Sequence, residues 1–161
     1  MKTVRDSEQY ARNKNVEVSG INETKDENLY NIAEKLADCI GLQFEPNEID
    51  VMHRVPSWNK KEPPKIVIQF KTRARRNEWL AKKKRGITTS DVIATRDPQP
   101  VYINEHLTQY WKKLLAEAKK AGRPRGYKMI WYKDGKVLER KDMTDRNVVR
   151  IQSEADLAKL Q

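Results

Sequence analysis

The stretch "KIVIQFKTRARRNEWLAKKKRG", Lys65 to Gly86, decides the fold. Its first six residues alternate, with Ile66, Ile68 and Phe70 on one face, which is the two-residue period of a half-buried strand. Thr72 is then placed to cap a helix, and Gly86 lies beyond that helix's end. The helical part is strongly charged. Of the sixteen residues from Lys71 to Gly86, eight are Lys or Arg and one, Glu78, is acidic. Such a segment is either a solvated helix face or the wall of a surface that meets something anionic.

Working outward, "NVEVSGI" (Asn15 to Ile21) and "IDVMHRV" (Ile49 to Val55) alternate in the same way and read as strands. Between them Leu29, Ile32, Ala33, Leu36 and Ile40 recur at helical spacing. Thr24 and Glu27 form a possible capping box before that helix, and Gly41 stops it. Pro56 to Pro64 is a polar loop, and "VYINEHL" (Val101 to Leu107) is a fourth strand. The order is strand, helix, strand, strand, helix, strand. That predicts an α+β fold with the ferredoxin-like β-α-β-β-α-β arrangement over residues 14–106, as in RNA-recognition motif (RRM) domains.

Residues 107–161 predict a second, small α+β domain. Thr108 caps a helix carrying Trp111, Leu114, Leu115 and Ala118 and ending at Gly122. "GRPRG" is a short basic break. Tyr127 to Lys141 is a hairpin turning on Asp134-Gly135, a pair suited to a type I′ turn. "NVVRI" is a further strand, and Ser153 caps a terminal helix with Leu157 and Leu160. Residues 1–13 stand apart as an N-terminal extension.

Composition narrows the function. Hydrophobic residues make up 37% of the 161 and charged residues 35%, but the apolar ones are periodic, so the chain folds. The lone Cys39 excludes an internal disulfide and a Cys-based zinc site. There is no apolar run of membrane-spanning length and no signal-peptide core, so the expected home is a reducing compartment, cytoplasm or nucleus. Charge is segregated. Residues 1–70 hold 10 Lys/Arg and 12 Asp/Glu, a net of −2; residues 71–161 hold 23 and 11, a net of +12. A basic second half is the electrostatic footprint of a polyanion-binding surface.

The segments "YARNKNVEVSGI", "IDVMHRVP", "PPKIVIQF", "VYINEHLT" and "YKDGKVLERKDMTDRNVVRIQSEADL" resemble the C-terminal region of insect LINE-type retrotransposon first-open-reading-frame proteins. They are equally similar to the baculovirus few-polyhedra (FP) protein. The ordered series carries the likeness, most strongly in the tail. The resemblance implies an RRM-like domain and a small C-terminal domain that together bind single-stranded RNA or DNA through a basic cleft, as a ribonucleoprotein component and nucleic-acid chaperone. It also implies a homotrimer held by an N-terminal coiled coil, of which residues 1–13 would be the end. The alternative is a protein-interaction and assembly module acting in occlusion and virion envelopment.

RRM domains stack bases on aromatic residues of the first and third strands. Here the matching outward positions are Glu17, Lys65 and Val67. The expectation shifts to phosphate contacts, which do not read sequence. Candidates are Arg54, Lys65, Arg73, Arg75, Arg76, Lys82, Lys83, Lys84 and Arg85 in the first domain. In the second they are Arg123, Arg125, Arg140, Lys141, Arg146 and Arg150, with Tyr132 as a base-stacking residue. His53, pointing opposite to Arg54, is expected in the core, and His106 is expected to be structural. Neither a cofactor nor an enzymatic activity is expected: the six glycines are scattered and two separated histidines make no triad or metal cluster. The acid pairs Asp26/Glu27 and Asp142/Asp145 read as caps and solvated charges rather than metal ligands.

Overall fold

The computed structural model describes residues 3–161, which fall into two units. One spans Arg12–His106; the other is Leu107–Gln161 together with the N-terminal stretch to Ala11. In chain order the elements are α1 (Val4–Tyr10), β1 (Asn15–Ser19), α2 (Leu29–Cys39), β2 (Ile49–Val55), β3 (Lys65–Phe70), α3 (Arg73–Lys82) and β4 (Tyr102–Glu105). Then follow α4 (Gln109–Gly122), β5 (Met129–Lys133), β6 (Lys136–Arg140) and β7 (Val149–Ile151).

The Arg12–His106 unit is α+β. Its sheet runs β2-β3-β1-β4, with every neighbouring pair antiparallel. β3 is thereby inserted between β1 and β2, the two strands that α2 connects, which is a split β-α-β arrangement. The alternation dictates the core. Val16, Val18, Ile66, Ile68 and Phe70 are all buried and cluster with Ile32, Ala33, Leu36 and Ala37 of α2 and Trp79 of α3. Phe70 and Trp79 lie with ring centroids 5.2 Å apart in a tilted pair. Burying side chains of this size stabilises by roughly 1.5–3 kcal/mol each.

Local chemistry sets the helix ends. Thr72 Oγ1 accepts from the Arg75 N–H at 3.2 Å and starts α3, as its sequence position predicts. The helix stops at Lys82; Lys83 turns extended (ψ 144°), three residues before Gly86. α2 ends in a Schellman motif: Leu42 N–H bonds Ala37 O, Gly41 N–H bonds Asp38 O, and Gly41 takes φ +75°. Its start is different from the sequence expectation. Asn28, whose Oδ1 accepts from Tyr30 and Asn31, is the cap, while Thr24 and Glu27 form a separate turn upstream. Glu27 Oε1 accepts from the Thr24 N–H at 3.5 Å, but no helix starts there, and an arginine holds the same carboxylate more closely.

In the second unit Thr108 caps α4 through the Trp111 N–H. α4 buries Trp111, Leu114 and Ala118 against Val137 and Ile151 of the sheet β5-β6-β7. The β5–β6 turn places Asp134 at φ 48° and Gly135 at φ 80°, both left-handed as a type I′ turn requires. The terminal helix is a 3-10 segment, Glu154–Lys159, and the Ser153 hydroxyl makes no capping bond. α1 joins this unit rather than standing apart: Gln9 Oε1 accepts from Thr108 N–H at 3.0 Å, and the Arg5 guanidinium lies 4.3 Å from the Tyr110 ring centroid.

Candidate nucleic-acid interface

Basic residues fall into two groups according to what they already hold. Arg54 is the clearest member of the first. Its five N–H donors are all used: Nε and Nη2 fork onto the Glu27 carboxylate at 2.9 and 2.7 Å. Nη1 reaches Ile21 O and Pro64 O at 2.6 Å each, and Nη2 also reaches Asn22 O at 3.2 Å. The Arg54 hydrogen bond is the largest influence holding Glu27 below the usual carboxylate range. Arg54 therefore carries the fold, not a phosphate. Its neighbour His53 is exposed, which inverts the expected division: the β2 bulge between Ile49 and Val51 resets the alternation, so Met52 faces the core and His53 faces away.

Arg75 and Arg76 are likewise engaged. Arg75 bridges Glu48 (2.5 Å) and Glu78 (3.2 Å) and donates to the Gln43 carbonyl. Arg76 is 8% exposed and reaches Asn15 O at 3.3 Å, Asn77 Oδ1 at 3.0 Å and Glu105 Oε2 at 3.5 Å. Arg76 ties the first turns of α3 to β1 and β4, and Arg75 ties them to the segment between α2 and β2. Lys65 is intermediate, 3.6 Å from Glu17 Oε1 with a third of its side chain exposed.

The second group consists of Arg73, Lys82, Lys83, Lys84 and Arg85. All are exposed and form no ion pair among the described residues. The last three lie past the end of α3, so the densest run of cations sits on chain whose backbone is no longer helical.

Residues 107–161 carry 14 Lys/Arg against 7 Asp/Glu, a net of +7. Arg123 and Arg125 occupy the exposed 3-10 turn after α4, where Arg125 Nη1 donates to Ala121 O at 2.7 Å. Burial, and after it the nearby Arg123, holds the Lys119 ammonium below its usual value. Lys141, Arg146 and Arg150 are exposed, Lys141 lying 5.4 Å from the Tyr127 ring centroid. Arg140 is half-buried, with Nη2 near the sulfurs of Met129 (3.6 Å) and Met143 (3.3 Å). Tyr132 is not presented for stacking. Its ring packs edge-on against Trp111 at 5.3 Å, and its hydroxyl accepts from the Gly135 N–H at 3.0 Å. On the opposite face of the same hairpin stand Trp131, Leu138 and Arg150, in register across three strands.

The sequence profile of baculovirus FP protein domain 1 matches residues 13–105, and that of domain 2 matches residues 108–161. The chain belongs to the baculovirus FP protein family. No curated protein matches it. The junction of the two FP domains falls at the His106/Leu107 division of the structure.

Of the two acid pairs in this FP-family chain, Asp142 caps its own turn, whereas Glu27 is held by Arg54. Asp142 Oδ1 accepts from Thr144 N–H and Oγ1 and from Asp145 N–H, and the first two of these lower its pKa most. Among the described residues no three or more His, Cys, Asp or Glu side chains gather as metal ligands, and no helix is long and apolar enough to cross a membrane. His106 Nδ1 lies 3.1 Å from Asn15 Nδ2, the expected structural role. Sequence reasoning missed an exposed aromatic on the sheet. Tyr102 of β4 is 53% exposed. Its outward position follows from the alternation of "VYINEHL", but attention to the first and third strands alone passes over it.

Proposed function

We propose that this FP-family chain binds single-stranded nucleic acid, RNA foremost, through exposed cations on each of its units. The observation that supports this reading is the sorting of the basic residues. Arg54, Arg75 and Arg76 are committed to internal partners. Arg73, Lys82–Arg85, Arg123, Arg146 and Arg150 are left exposed on a chain of net charge +10. Ammonium and guanidinium groups so arranged favour phosphate, and the contact is largely blind to sequence. Two basic units on one chain also raise the local concentration of a strand at the second once the first has bound. That suits a nucleic-acid chaperone.

A titration against single-stranded RNA, single-stranded DNA and duplex at several salt concentrations tests it. Affinity falls steeply with salt if phosphates are the partner. A flat salt dependence overturns the proposal.

A protein-assembly role is the second reading. Trp58, 96% exposed on the β2–β3 loop, favours it, as an aromatic anchor for a partner protein. Loss of partner capture on Trp58→Ala, with capture unchanged on neutralising Lys82–Arg85, supports that reading instead.

A further inference from the structure

A groove of about 530 Å³ opens in the Arg12–His106 unit where β1 runs out and β4 begins. That volume lies within the roughly 300–1,000 Å³ of small-ligand pockets. Three adjacent strands contribute to it. Ser19 and Tyr102 are register partners on β1 and β4, and on β3 Lys65 precedes Ile66, the register partner of Val18. The β2–β3 loop adds the exposed Lys61.

The floor is backbone. Gly20 takes φ +101°, and a Cβ there would run into the Pro100 carbonyl oxygen, so position 20 cannot carry a side chain. The lining is polar: the Tyr102 ring is half exposed with no aromatic neighbour among the described residues, Asn22 and Gln99 stand beside it, and Lys65 is held only by Glu17 at 3.6 Å. Arg54 supplies rigidity. It pins the carbonyls of Ile21 and Asn22 on the chain leaving β1 and that of Pro64 at the end of the β2–β3 loop. Two of the segments that form the groove are thus fixed before any ligand arrives.

We infer that this groove is a nucleotide subsite for a single strand. Tyr102 stacks a base, Lys61 and Lys65 take the flanking phosphates, and the Asn22 and Gln99 amides meet the base edge. The inference rests on the single-strand reading above and gives it a place. An aromatic with a free face accepts any base, so the subsite adds affinity without sequence preference. Glu62 is the one acid among the lining residues and tempers the field of the two lysines. Arg54 is a positioning residue here, acting through the segments that it holds.

The test uses the full chain with two probes, a short oligouridine and inorganic polyphosphate. Tyr102→Ala is expected to weaken oligouridine binding about ten-fold and to leave polyphosphate binding unchanged. Lys61→Ala with Lys65→Ala is expected to weaken both, and Glu62→Gln to strengthen both. Independently of any variant, oligouridine carrying 4-thiouridine is expected to cross-link to the peptide containing Tyr102. Wild-type binding with no loss in Tyr102→Ala, or cross-links confined to other peptides, overturns the subsite and leaves the single-strand reading standing. Failure of the wild-type chain to bind oligouridine at low salt overturns both.

Discussion

Arg54 and Glu27 meet as a two-pronged pair, Nε on Oε2 at 2.9 Å and Nη2 on Oε1 at 2.7 Å, with side chains only 9% and 13% exposed. The pair joins β2 to the turn before α2, and the three carbonyls on Arg54 complete the knot. Removing one partner of a buried pair costs about 3–5 kcal/mol, because the other charge is left stranded. Arg54→Ala is expected to lower the urea stability of the Arg12–His106 unit by about that much. Arg54→Lys keeps the charge but cannot fork, and recovers only part of the loss. Equal stability of wild type and Arg54→Ala would show that the arginine is expendable to the fold.

Glu27 gives this pair a pH signature. Its folded pKa lies below the ordinary value of 4.5, chiefly through the Arg54 hydrogen bond. A depressed carboxyl contributes stability that is present above the unfolded pKa and lost as pH falls through the folded one. Wild type is therefore expected to lose stability below about pH 4.5, and Glu27→Gln to lose less over the same window. Parallel acid-unfolding curves would remove Glu27 from the account.

The basic run of α3 divides at Lys82. Arg76→Ala is expected to destabilise the fold, since it removes the contacts of a buried guanidinium to Asn15 O and Glu105. Lys82→Ala, Lys83→Ala, Lys84→Ala and Arg85→Ala together are expected to leave thermal stability unchanged. They reduce the salt slope of single-strand binding by up to about 3, at about 0.7 per neutralised phosphate. A salt slope equal to wild type would make that run a solvated surface.

The element order was legible because the apolar periods are clean: Ile66/Ile68/Phe70 and Ile32/Ala33/Leu36 can bury only one way. The roles of the arginines were not. Nothing local separates Arg54 from Arg73; what separates them is Glu27, twenty-seven residues away in sequence and in contact through the fold. His53 was misplaced because a bulge resets the alternation of β2, and no residue type announces it. Tyr132 and Trp131, adjacent on one strand, must face opposite ways, but which face meets α4 depends on Val137 and Ile151 across the sheet.

Tyr132 can be tested by that contrast. Its ring fills the space beside Trp111, so Tyr132→Ala is expected to destabilise the Leu107–Gln161 unit by roughly 2–3 kcal/mol. Tyr132→Phe keeps the ring, deletes the bond to Gly135 N–H and costs about 1 kcal/mol. Loss of oligonucleotide binding in Tyr132→Ala at unchanged stability would restore it as a stacking residue.

Glu139 offers the sharpest prediction for the second unit. It sits on the face of β6 that carries Val137, between Ile130 and Val149 in register, and is 0% exposed. Neither carboxyl oxygen has a hydrogen-bond partner, and a Cβ on Gly122 would collide with Oε1. Burial alone pushes its pKa from 4.5 up to about 7; no charged neighbour contributes. The folded state therefore holds a proton that the unfolded chain has already lost, so stability falls as pH rises. The penalty is absent below about pH 4.5, grows to about 3 kcal/mol near pH 7, and is constant above it. Glu139→Gln, neutral at every pH, is expected to abolish this slope while the acid loss from Glu27 in the other unit persists. Unfolding of the full chain followed from pH 5 to 8 reads the difference directly. A wild-type curve that is flat over that window would mean that the carboxylate finds water or a cation when it ionises.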